Sequence, residues 1–243
     1  MSNISNLFSK KELYLMECQT KEFHQVTKPK RSAKARMETF NNMHLAKDMK
    51  FTTTNGIPIL QPYQGPVDFE VYAYSERKGL SGKKQAIHFF QYDCTFDNAL
   101  WKNLETTTYK LRHFDYLFTP DYSFYVDDFL WHQNVDFTYR TRFDGAYWQQ
   151  HCGFNVIPTV SWGNANSFPL AIEGLPMHSV LAVCGIGNKR SSSHLSLWQY
   201  AIKYIEDHLE PLLIIIYGEY VEMSGIHTPL KFIPDYISKR FRQ

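Results

Sequence analysis

Residues 179–217 read SVLAVCGIGNKRSSSHLSLWQYAIKYIEDHLEPLLIIIY. Ser179–Cys184 is a short apolar run of strand length, Leu195–Leu209 repeats its apolar residues at helical spacing, and Leu212–Tyr217 is the most apolar run in the chain. Two apolar strands separated by an amphipathic helix are joined by a crossover, so they pair in parallel within a sheet whose faces are covered. This β–α–β unit predicts an α/β fold.

Upstream the same alternation recurs. Phe69–Tyr74 and Ala86–Tyr92 read as strands, and Cys94–His113 reads as a helical segment with Phe96, Leu100, Leu104 and Leu111 toward one face. Tyr116–Phe118 is the next strand, closed by the turn Pro120-Asp121, and Asp127–Cys152 is a mostly helical crossover. Asn155–Trp162 is a further strand, after which the polar loop Gly163–Ser167 leads to Phe168–Ile172. Strands alternating with helices predict a largely parallel sheet with flanking helices, either open and doubly wound or an incomplete barrel. Sites in both architectures lie beyond the carboxyl ends of the strands.

The 243 residues suit one α/β domain over 51–230, with a basic N-terminal arm at 1–50 and a basic tail at 231–243. The arm carries +5 and the tail +3, which leaves −6 on the body out of a net +2. Hydrophobic residues at 44% and charged residues at 21% match a soluble globular chain rather than a disordered one. No apolar stretch is long enough to span a membrane and no leader is evident, so the expectation is a cytoplasmic protein without a membrane partner. Cys18, Cys94, Cys152 and Cys184 are widely spaced, which predicts reduced, mostly buried thiols rather than a disulfide framework or a zinc site. The motifs name no cofactor and complete no metal-ligand spacing.

Three polar clusters could carry chemistry. Thr119–Asp128 places Asp121, Asp127 and Asp128 beside Tyr122 and Tyr125 at a strand end, where carboxylates can divide acid and base roles or simply fill turn and cap positions. Tyr139–Gln149 holds Arg140, Arg142, Tyr147, Trp148 and Gln149, a set that can grip an anion and stack on a base, or can pack as a helix with an internal Arg–carboxylate network. Gly185–Ser193 follows a strand, precedes a helix and contains Lys189 and Arg190, the ingredients of a phosphate cradle without the spacing of a known one; otherwise it is a loop with Ser193 as N-cap. Glu173 and Glu219 follow strands and add acid–base candidates. Lys28, Lys30, Arg31, Lys34 and Arg36 form a run suited to nucleic-acid phosphates or to a solvated tether.

The ordered set Pro120–Tyr125, Tyr139-Arg140, Gly145–Gln149, Val156–Trp162 and Tyr217-Gly218 resembles an uncharacterised bacterial and phage family, the domain of unknown function 4417, over roughly residues 50–220. The resemblance singles out Asp121, Tyr125, Arg140, Tyr147, Gln149 and Trp162. It implies a protein of phages, plasmids or integrative elements and no established activity. Where that family has a second basic residue and often a tryptophan before Gly-Ala-Tyr-Trp-Gln, this chain has Arg142-Phe143-Asp144.

Three functional expectations follow. The first is a phage or mobile-element protein that binds nucleic acid or a nucleotide, in replication or host takeover, through Tyr125, Arg142, Tyr147, Gln149, Trp162, Lys189, Arg190 and the basic termini. The second is a small-molecule hydrolase or transferase with Asp121 and Glu173 as acid–base groups and Arg140 as anion clamp. The third is a protein that binds a host factor.

Overall fold

The computed structural model describes residues 39–235. The basic run Lys28–Arg36 and the tail residues Lys239, Arg240 and Arg242 lie outside the described residues.

Among the described residues there are eight strands: β1 (Glu70–Ala73), β2 (Gln85–His88), β3 (Tyr116–Phe118), β4 (Asn155–Ile157), β5 (Thr159–Val160), β6 (Val180–Cys184), β7 (Leu213–Tyr217) and β8 (Leu230–Ile233). The helices are α1 (Asp97–Leu100), α2 (Leu104–Leu111), α3 (Trp131–Gln150), α4 (Phe168–Ile172) and α5 (Ser192–Leu209). Every ladder is parallel, and the strands follow one another in sequence order in two four-stranded sheets, β1 to β4 and β5 to β8. The single strand expected over Asn155–Trp162 is split by Pro158, which has no N–H to give the ladder. Its carbonyl still accepts from Ala182 N at 2.9 Å, while Thr119 N reaches the Ile157 carbonyl at 3.0 Å. Residues 155–160 therefore join the two sheets along one edge each.

Helices and strands share one core. Ile87, Leu117, Val156, Val160, Leu181, Val183, Ile214 and Ile216 pack with Leu100, Leu104, Leu111, Phe143, Trp148, Ile202 and Ile205. The alternate strand residues, Val71, Ala86, Phe118, Ile157, Val180, Ala182, Ile215 and Tyr217, form a second buried cluster with no helical residue in it. Period-two alternation puts these two sets on opposite faces. A face buried without helices must be buried against itself, so the sheet is curled.

Ring contacts confirm the curl. His88 on β2 lies 4.1 Å from Tyr217 on β7, and Phe90 stacks on the same tyrosine at 5.3 Å. In a flat sheet of this order those strands would stand roughly 15–20 Å apart at about 4.8 Å per neighbour. Of the two architectures the sequence allows, the protein adopts the incomplete barrel, with helices outside and a side-chain-filled interior. No ladder joins β1 to β8 among the described residues. Lys231 of β8 instead donates its Nζ to the carbonyl of Val67, just ahead of β1.

Candidate functional site

The carboxyl ends of the strands gather titratable side chains at one mouth of the barrel. Asp121 follows β3, Ser161 follows β5, Cys184 ends β6 and Glu219 follows β7. Ser161 Oγ donates to Asp121 Oδ1. Asp121 keeps part of its residue surface exposed, yet its carboxyl is desolvated, and that desolvation pushes its pKa up to about 7. The Ser161 hydrogen bond and the charge of Arg142 pull the other way, and Asp93 adds to the rise.

Cys184 is buried enough that its thiol is pushed up to about 12, with the Asp121 charge contributing, so it is a thiol and not a nucleophilic thiolate. His88 accepts from Phe90 N at Nδ1 over 3.1 Å and packs at a tilt against the Tyr217 ring. One carboxylate oxygen of Glu219 is buried without a hydrogen-bond partner. Among the described residues no group of three His, Cys, Asp or Glu is placed to hold a metal ion.

The remaining sequence candidates are dispersed. Arg140, on α3, binds Asp97 at 2.9 Å and its i−4 neighbour Asp136 at 2.7 Å, with its guanidinium over the Trp101 ring. Asp144 lies four residues beyond on the same helix, but its carboxylate oxygens are buried without partners, and burial pushes its pKa far up. Arg142 is buried and donates to three backbone carbonyls, Glu173 from Nε, Thr159 from Nη1 and Ala171 from Nη2. It ties α3 to α4 and to β5.

Glu173 accepts from Thr52 Oγ1 and from both nitrogens of Asn55, so it anchors the 51–58 hairpin. Gln149 clasps the backbone of Gln61 through N and O, at the edge of a cleft of about 380 Å³ near the amino end of β4. Tyr147 packs at a tilt against the His151 ring, also toward the end of α3 and away from the mouth. Tyr125 is held by Asn134, and Trp162 packs edge-on against Phe168. Lys189 and Arg190 are exposed on the turn between β6 and α5.

That turn is closed by Ser191, not Ser193: the Ser191 hydroxyl accepts from His194 N as N-cap of α5. Gly185 is spent on packing, since a Cβ there would stand 2.9 Å from Ile216 and 3.2 Å from the Glu219 carbonyl. The thiols also differ from expectation, because Cys94 is exposed while Cys152 and Cys184 are partly buried. No described helix is long and apolar enough to cross a membrane.

A sequence profile described as "Domain of unknown function (DUF4417)" matches residues 49–236, more than half of the chain. The chain belongs to this family. The DUF4417 chain is similar to the "Gene 1 protein" of Mycobacterium phage L5, at 28% identity over 208 residues, covering 83% of this chain and 88% of that protein. It is also similar to the "Gene 1 protein" of Mycobacterium phage D29, at 29% identity, covering 65% of this chain and 58% of that protein. No solved structure matches it.

Among the motifs that resemble DUF4417, the structure brings Asp121 and Ser161 together and holds Tyr147 and Gln149 elsewhere. His88 and Ser161 were missed as partners of the mouth. Their signal was positional: each lies at or just past the carboxyl end of a strand.

Proposed function

We propose that this DUF4417 chain is a small-molecule hydrolase or transferase that works at the carboxyl ends of its strands, with Asp121 as the acid–base group. One observation carries this: a carboxyl desolvated to a pKa of about 7 and fixed by the Ser161 hydroxyl sits at the mouth where barrel folds place their chemistry. A group titrating near neutrality can both take and return a proton during turnover. Lys189 and Arg190 are the exposed cations on the rim after β6, and they suit an anionic, phosphorylated substrate. Arg140 and Glu173 have no part in this site, since their charges are engaged by Asp97, Asp136, Thr52 and Asn55. Nucleic-acid binding is supported by the basic run of the sequence alone, because the Arg, Tyr and Trp residues once expected to bind together are dispersed.

The test is turnover of a panel of phosphorylated and glycosidic small molecules by the full chain and by Asp121→Asn. Loss of at least about 100-fold in rate, with the fold retained by circular dichroism and the pH inflection near 7 removed, is the expected result. Turnover indifferent to the substitution, or none across the panel, discards the proposal.

A further inference from the structure

Two neighbouring loops beside the mouth are unusually apolar for a surface and carry a single sign of charge. Tyr92 is 82% exposed, Phe129 81%, Val126 60%, Tyr125 40% and Trp131 37%. Residues 91–97 and 121–131 hold no Lys or Arg; Asp97 is paired with Arg140 and the Asp121 carboxyl is desolvated, so the rim takes its negative charge from Asp127 and Asp128, with Asp93 beside them. Scattered exposed apolar residues are ordinary, but a concentration of this kind marks a binding surface.

The surface is built before any partner arrives. Ser123 donates N and Oγ to the Asp93 carboxylate, which fastens one loop to the other. Asn134 bonds both N and O of Tyr125 at 2.8 and 2.9 Å, and Asn164 donates to the Val126 carbonyl at 3.1 Å. Gly163 lies so near the Tyr125 carbonyl that a Cβ there would stand 2.8 Å away. A preformed surface binds at lower entropic cost.

We infer that the occupant of this acidic, aromatic rim is the basic segment 28–36 of the same chain. That segment carries Lys28, Lys30, Arg31, Lys34 and Arg36 and no acidic residue. Cations over tyrosine and tryptophan faces, with carboxylates alongside, are a favourable pairing. The chain also begins its described course on the same side. Asn42 Nδ2 bonds the Trp101 carbonyl, and side-chain contacts then run from Trp101 to Arg140 at 5.1 Å, from Arg140 to Phe137 at 5.7 Å and from Phe137 to Tyr125 at 6.2 Å. The residues from Thr39 back to Lys28 span about 35 Å when extended, enough to follow that path. This inference is independent of the proposed chemistry.

The experiment is limited trypsin digestion of the full chain, with cleavage after Lys30, Arg31, Lys34 and Arg36 followed by mass spectrometry. Wild type is compared with Asp127→Asn/Asp128→Asn/Phe129→Ala at about 50 and about 500 mM salt, a range over which the screening length drops severalfold. The expected result is cleavage about tenfold faster in the variant at low salt, with wild type rising to match it at high salt, because proteolysis follows the population of the open form. Equal rates at low salt overturn the inference.

As a second measurement, the variant Lys30→Glu/Lys34→Glu, whose changes lie outside the described fold, is read by amide exchange of residues 122–130, and unchanged exchange there also overturns it. Protection that appears only as protein concentration rises would assign the rim to the segment of a second copy, and so would overturn the intramolecular contact.

Discussion

Asp121 ties the stability of the protein to pH through a single carboxyl. Its folded pKa of about 7 lies above the ordinary 3.8, so the fold favours the protonated form. That contribution is intact below about pH 4 and is lost as pH rises through about 7, at a cost of at most about 4 kcal/mol. Glu206 has the opposite sign: its carboxylate, although partly desolvated, is held down to about 2 by Lys203 and by the backbone of His227 and Thr228. Asp121→Asn is therefore expected to gain stability relative to wild type between pH 5 and pH 8, as measured by urea unfolding; parallel curves would contradict it. The position of Asp121 past a strand end was legible because the turn Pro120-Asp121 closes the apolar run Tyr116–Phe118. The role of Arg142 was not, since its carbonyl partners come from Thr159, Ala171 and Glu173, which no local pattern connects to it.

At the scale of elements, α3 explains the motif from Gly145 to Gln149. Gly145 lets the helix approach β3 so closely that a Cβ would meet Thr119 Cγ2 at 2.6 Å and Leu60 Cδ2 at 2.9 Å. Ala146 and Trp148 are fully buried, and Trp148 Nε1 donates to Thr108 Oγ1 of α2 at 2.8 Å. Gly145→Ala would gain up to about 1 kcal/mol of helix propensity but overpack a contact with a β-branched, buried residue, at about 1–3 kcal/mol. Net destabilisation of roughly 1–2 kcal/mol in chemical denaturation is expected, and a stabilised variant would show that the helix can shift.

Strands and long helices were readable from their periodicity; the breaks were not. The expected helix over Cys94–His113 is two helices, α1 and α2, with Asn103 turned out of helical geometry between them. Strand β8 escaped notice because Lys231 interrupts its apolar run, and its amine serves the Val67 carbonyl rather than solvent.

For the whole molecule, sequence alternation could establish a parallel sheet but not its curvature, because both faces of a covered open sheet and both faces of a barrel wall are apolar. What distinguishes them is the set of interior rings, and those meet only in three dimensions. Phe90 and Tyr217 provide a direct check. Stacked at 5.3 Å, they should show a coupling of about 0.5–1.5 kcal/mol in a double-mutant cycle of Phe90→Ala and Tyr217→Ala. Strictly additive losses would mean an open sheet.

The strand order has a consequence for how the chain is made. Within each of the two sheets every strand after the first pairs with the one synthesised just before it, so in a nascent chain emerging at about 5–20 residues per second each new strand meets its nearest predecessor rather than a distant partner. The interior is different: Phe90 and His88 are covered only once Tyr217 has left the ribosome, and the seam is bridged later still, by Lys231. Growth of the wall is gradual and local, while drying of its interior belongs to the last strands translated.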